Sequence, residues 1–177
     1  MSTIIEKATK GNRAAMNQLL EANKNQIYGL CLALLGSKPE ATSGTVQAFR
    51  QLWEQLLDGK LDSEEAVKTC LVRRAVNYCK NRLQRKDSKA FRVPANKDFS
   101  AITCNRSAIR PDSNTAEQIL ACLPPLHRTI SVLTGGLGLS AEETGGLVGL
   151  SPELGELALA AEEGNLSRGL SARNQRL

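Results

Sequence analysis

Six cations and two carboxamides, Arg73, Arg74, Asn77, Lys80, Asn81, Arg82, Arg85 and Lys86, fall within one short stretch of this sequence. Guanidinium and ammonium groups neutralise phosphates, and carboxamides donate to and accept from base edges. Arg73, Asn77, Lys80, Asn81 and Gln84 recur at helical spacing, which gathers them on one face. Val72, Ala75, Val76, Cys79 and Leu83 form a second, apolar stripe. A charged helix face is most often plain solvated surface. Here eleven of the 23 Lys and Arg residues lie between Arg73 and Arg110, with only Asp87 and Asp98 to offset them. That imbalance makes nucleic acid the leading expected partner.

Other chemistry has little to stand on. His127 is the single histidine, so a zinc site with several His ligands is excluded. A Ser/His/Asp triad would have this one residue as its base, and its place after Pro124-Pro125 in an apolar helix start fits packing better. Five cysteines, at 31, 70, 79, 104 and 122, are odd in number and lack paired spacing, which reads as packed thiols in a reducing compartment. No Gly-rich phosphate loop or paired-carboxylate motif is present. The expectation is no enzyme, no cofactor, no metal and no small-molecule substrate. The first residues carry no apolar signal core and no apolar run nears a membrane span, so a cytoplasmic protein without membrane insertion is expected.

The elements that must hold these residues are helices. The expected set begins with residues 2–9, then a helix capped by Asn12 with Met16, Leu19 and Leu20 inward. A third passes Ile27, Leu30, Cys31 and Leu34 to Gly36. A fourth opens at Pro39-Glu40 with Val46, Phe49, Leu52, Trp53 and Leu56 inward. Asp62 with Glu65 has capping-box spacing for the basic helix. Residues 87–113 lose periodicity and read as a linker. Beyond it come a helix over 114–123, one opened by Pro125, one capped by Ser140 with Glu143, and one over 152–163 entered through Gly149 and Ser151. The last two have helix-turn-helix syntax. No segment alternates with period two. The fold class is therefore all-α, with domains at 1–86 and 114–177 joined by a basic linker, 87–113. Residues 1–113 carry a net charge of +8 and residues 114–177 a net −3.

The order of these pieces resembles the extracytoplasmic-function sigma factors of bacterial RNA polymerase. Gly11 to Leu20 looks like that family's "G-D-x-x-A-F-x-x-L", and Ile27 to Gly36 like "V-Y-x-L-A-x-R-x-L-G". Phe49 and Trp53 match "F-x-x-x-W", and Leu71 to Arg85 match "L-x-x-I-A-R-N-x-x-x-D-x-x-R-R". Leu123, Pro124 and Arg128 resemble "L-P-x-x-x-R". Gly138 to Glu143 with Gly149 to Ser151 resemble "G-L-S-x-E-E-I-A-x-x-L-G-I-S". The resemblance implies two helical domains, the first docking on core RNA polymerase and melting promoter DNA, the second reading an upstream promoter element. By position, Arg73 to Lys86 would face promoter DNA, and the helix holding Ser43, Val46, Gln47 and Arg50 would face polymerase.

Departures from the pattern are as informative. The family's docking helix usually reads "A-E-D-x-x-Q-E-x-F", whereas Ser43, Val46 and Gln47 here replace its acid, glutamine and glutamate. In the last helix, Glu156 stands where lysine is usual and Ala158 where arginine is usual. With Glu153, Glu162 and Glu163, that helix has four acids and no base. Gly145, Gly146 and Gly155 weaken these helices by roughly 0.5–1 kcal/mol each relative to alanine. The site for helix-turn-helix geometry is thus Ser140, Glu143, Gly149, Ser151, Leu154 and Glu156, without duplex-binding chemistry. Leu147, Leu150, Leu154 and Leu157 are its expected apolar positions. The expected function is sigma-like transcription initiation through the N-terminal domain. The alternative is a sigma-like regulator that binds an anti-sigma factor or another protein, and a helical scaffold without a transcriptional role is the least supported reading.

Overall fold

The computed structural model describes residues 4–93, 120 and 123–161, and among these every regular element is helical. The chain divides into two compact units, Met1–Arg82 and Leu83–Leu177.

In the first unit, α1 (Ile4–Thr9) ends at Gly11, whose φ of 79° and N–H bond to Ala8 turn the chain. The Asn12 side chain accepts from Ala15 N at 3.1 Å and starts α2 (Arg13–Leu35). The sequence pattern predicts two helices here, and the structure has one. No glycine or proline interrupts residues 12–28, and the polar stretch between the apolar runs stays helical. Its one buried amide, Asn23, donates to the Leu19 carbonyl at 2.8 Å. Gly36, at φ 65°, stops α2, and Pro39 in the first turn opens α3 (Lys38–Leu57). Helix α4 (Glu64–Lys86) is capped by Ser63, whose Oγ accepts from Ala66 N at 3.2 Å. The cap therefore lies one residue beyond the Asp62/Glu65 spacing.

Leu19, Ile27, Leu30 and Leu34 of α2, Phe49, Leu52 and Leu56 of α3, and Val67, Leu71, Ala75, Val76 and Cys79 of α4 make the core. Val72 and Leu83 are only half-buried, and Val46, expected inward, is 60% exposed. Gly44 sits at the closest approach. A Cβ there would stand 2.9 Å from the Tyr78 ring and 3.1 Å from Cys31 Sγ.

The second unit takes in the last residues of α4, from Leu83, and continues in turns over residues 87–93 that bury Ala90. The linker residues 94–113 and most of the helix expected over 114–123 lie outside the described residues. Helix α5 (Pro125–Ser131) runs into a π-type turn, Val132–Gly136, which the sequence pattern does not announce. Arg128 holds the entry to α5, donating from Nε to the Leu120 carbonyl at 2.7 Å and from Nη2 to the Leu123 carbonyl at 3.0 Å. Helix α6 (Ala141–Val148) starts with the expected capping box. Ser140 Oγ accepts from Glu143 N, and Glu143 Oε2 accepts from Ser140 N. Gly149, at φ 86°, turns the chain into α7, helical over residues 152–161.

The α6–α7 crossing is set by glycine. Gly145 and Gly155 face each other, and a Cβ on Gly155 would stand 2.8 Å from the Ala141 carbonyl oxygen. The neighbour is backbone and cannot swing away. Gly155→Ala should therefore destabilise the helix-turn-helix by about 1–3 kcal/mol, overpacking exceeding the ~1 kcal/mol helix-propensity gain. Amide exchange over residues 141–161 measures this, and slower exchange in the variant would contradict it. Hydrogen bonds to the Glu143 carboxylate hold its pKa below the ordinary carboxylate value. A lowered folded pKa contributes stability above the unfolded pKa and loses it as pH falls through the folded one. The α6 N-terminus should accordingly fray in acid, and Glu143→Gln should lessen that pH dependence in the same exchange experiment.

Candidate functional site

Helix α4 presents its predicted residues on more than one side. At about 100° per residue, Arg73, Asn77, Lys80 and Asn81 share a sector. Arg73, Asn77 and Asn81 are exposed, and Lys80 is half-buried. Arg74 and Arg85 flank that sector, half-buried and exposed respectively. Opposite them the stripe centred on Ala75, Val76 and Cys79 is fully buried. The outer face is thus basic and amide-bearing along several turns, a surface suited to phosphates with bases alongside.

Arg82 and Lys86 project elsewhere. Both lie roughly opposite Arg73 by helical spacing. Lys86 is exposed at the end of α4. Arg82 reaches across to α3, where Nη2 meets Glu40 Oε1 at 2.9 Å. Glu40 retains 17% exposure and Arg82 40%. With that much solvent the pair is worth roughly 1 kcal/mol or less. Its effect is positional, since it ties the end of α4 to the first turn of α3. No local sequence signal could pair residues 42 positions apart.

The outer face of α3 collects Ser43, Val46 and Arg50 with Leu57, while Gln47 is half-buried beside them. Ser43 Oγ donates to the Pro39 carbonyl at 3.0 Å, and Arg50 pairs with Glu54 at 3.5 Å in solvent. Val46 and Leu57 are 60% and 57% exposed. An apolar, weakly charged face results, and Leu57 is the member the sequence pattern misses, because nothing local marks it as outward.

In α7, Glu153, Glu156 and Leu157 face solvent, Leu157 at 53%. Leu157, expected among the packing residues, is replaced in that role by Gly155 and Ala158, both buried. Leu154 and Leu147 are half-buried, and Leu150 is buried. Glu162 and Glu163 lie outside the described residues. His127 is buried with Leu126 and Ile130. Among the described residues, no cluster of three His, Cys, Asp or Glu side chains could hold a metal. No described helix is long and apolar enough to cross a membrane.

No protein-family model matches the chain, and no curated protein matches it. Among solved structures, that of CnrH in complex with the cytosolic domain of CnrY superposes with a TM-score of 0.58. The match covers 96% of each chain at 18% identity. Among its described residues the chain is all-helical, with a fold like that of CnrH. At that identity the likeness speaks for the fold, and the site must be argued from its own residues.

The α4 placements separate two kinds of cation. Arg73→Ala/Arg74→Ala/Lys80→Ala should weaken DNA binding by the full chain and lower its log-salt slope by as much as about 2.7 for duplex, at ~0.9 per phosphate contact. Arg82→Ala should instead lower the melting temperature and leave that slope nearly unchanged. Salt-titrated binding of both variants decides. An unaltered slope in the triple variant would return this face to ordinary solvated surface.

Proposed function

We propose that the chain is a sigma-factor-like transcription-initiation protein that binds core RNA polymerase and promoter DNA, chiefly through its N-terminal domain, residues 1–86. The observation that carries this reading is the outer face of α4, where Arg73, Asn77, Lys80 and Asn81 are gathered on a sigma-like fold. A melted promoter strand offers phosphates to the cations and unstacked base edges to the amides. The α3 face of Ser43, Val46, Gln47 and Arg50 docks on polymerase, with Val46 and Leu57 supplying apolar contact in place of acids. Residues 87–113 connect this domain to the helix-turn-helix domain, 114–177, and the protein works in the bacterial cytoplasm.

A second reading is favoured by one observation, the exposure of Glu153, Glu156 and Leu157 along α7. Carboxylates on a groove-facing helix repel phosphate before any base is read. An apolar residue among acids instead suits a basic protein surface. Under this reading the chain is a sigma-like regulator whose C-terminal domain binds a protein of anti-sigma type. The capture of CnrH with the cytosolic domain of CnrY supports a protein partner for such a fold.

Both readings meet in one experiment with the full chain. Under the first, the protein co-elutes with core RNA polymerase, and the complex binds promoter DNA carrying an unpaired segment. Val46→Glu should then reduce co-elution at least several-fold, because it replaces an apolar contact with a buried charge. Folded protein that fails to bind polymerase, while retaining a basic protein partner lost in Glu153→Lys/Glu156→Lys, establishes the second reading instead.

A further inference from the structure

Among the described residues four large apolar side chains stand exposed, Ile4, Val46, Leu57 and Leu157, and two of them lie on α3. Val46, Arg50, Trp53 and Leu57 follow one another at intervals of four, three and four residues, the spacing of a coiled-coil seam. At about 100° per residue they share a sector roughly 60° wide. The buried Ala41, Ala48 and Leu52 lie on the other side of the helix. Val46, Arg50 and Leu57 are exposed and Trp53 is half-buried. Trp53 is braced from behind by Phe49, the ring centroids 5.9 Å apart and the planes at 42°. Arg50 Nε meets Glu54 Oε1 at 3.5 Å, with the two side chains 70% and 64% exposed. Helix α3 thus carries a second seam, about 16 Å long at ~1.5 Å per residue, that the core does not use.

We propose that this seam docks on the same seam of a second copy of the chain, the two α3 helices running antiparallel about a two-fold axis. The argument is self-complementarity, because a two-fold interface sets one patch against itself. A parallel pairing would bring Arg50 against Arg50, two like charges in mid-seam. The antiparallel pairing sets Val46 of each copy against Leu57 of the other, so both end layers are apolar. In the two central layers Arg50 of each copy meets Trp53 of the other, a cation over an aromatic face. Glu54 of the second copy follows one position on and supplies a carboxylate for the same guanidinium. The one charge in the seam is therefore answered when the partner is another α3. A purely apolar partner helix would leave Arg50 desolvated without a counter-charge.

A single helix pair of this length falls at the small end of specific interfaces, so the dimer is weak, with a Kd on the order of 100 μM. Self-association covers Val46 and Leu57, the contacts given above to polymerase docking. The two associations exclude each other, and the dimer withholds the docking face until polymerase competes for it. The pairing itself rests on α3 alone and does not require the polymerase reading.

The test uses the full chain without polymerase or DNA. In sedimentation velocity from about 10 to about 500 μM, the weight-average coefficient should climb from monomer toward dimer. Val46→Glu and Leu57→Glu each place a charge in the interface twice and should raise Kd roughly tenfold or more. Both positions are exposed, so circular dichroism and the melting temperature of either variant should match the parent. Orientation is read by mixing Val46→Cys protein with Leu57→Cys protein under mild oxidation. Peptide mapping should find position 46 of one copy linked to position 57 of the other. Val46→Cys alone should give no link between its two introduced thiols, which lie about 16 Å apart along the antiparallel pair. A link in Val46→Cys alone, or a dimer indifferent to both glutamate variants, would overturn the proposal. So would a chain that stays monomeric at the highest concentration, which would leave the seam to a different protein.

Discussion

The two-sidedness of α4 governs the N-terminal unit. Its inner stripe of Val67, Leu71, Ala75, Val76 and Cys79 must be buried for α2 and α3 to have a common core. Each large member contributes roughly 1.5–3 kcal/mol of transfer free energy. Rotating α4 to hide its cations would forfeit that burial and desolvate charges. The apolar stripe therefore fixes which way Arg73, Asn77, Lys80 and Asn81 point. The basic face is a consequence of packing, since none of these four side chains belongs to the buried stripe. Gly44 refines the geometry, since it lets α3 approach the Tyr78 ring and Cys31 closely. The Glu40–Arg82 pair then fixes the end of α4 against α3.

On α3 the balance of forces has moved from charge toward apolar contact. Exposed ion pairs contribute about 0–1 kcal/mol and mostly accelerate encounter. Burying a Val or Leu in an interface contributes more per residue, without salt dependence. Under the proposed docking, Val46 and Leu57 exchange steering for short-range adhesion. A docking helix built this way engages its partner more slowly at low salt and loses less at high salt.

Much of this was legible in the sequence because it rests on local periodicity. The all-helical class, the apolar stripe and polar face of α4, the Ser140–Glu143 box and the Gly149 turn all follow from residues within a few positions of one another. The rest is non-local. The polar run around Asn23 looked like a break, yet a helix interior accepts it when the amides face water and Asn23 bonds its own backbone. Val46 matched an inward spacing, but Ala48, Phe49 and Leu52 already fill that side. Arg82 belonged to a basic run in sequence and to Glu40 in space. Gly155 weakens a helix by propensity, and in space it is what permits the approach to the Ala141 carbonyl.

The helix-turn-helix shows how architecture and chemistry separate within one motif. Its geometry depends on Ser140, Gly149, the Gly145–Gly155 approach, and the buried Val148, Leu150 and Ala158. None of these positions carries charge, and all but Ser140 and Gly149 are buried. The remaining positions of α7 form its outer face, and there Glu153, Glu156 and Leu157 are exposed. Changing cations to carboxylates at such positions costs the fold almost nothing, because exposed substitutions away from caps and crossings lie within about 0.5 kcal/mol. The same change reverses the sign of the field a duplex meets. A domain can therefore keep its small-residue crossing and its caps while its outer face is turned from polyanion to protein, and the two sets of residues answer to different constraints.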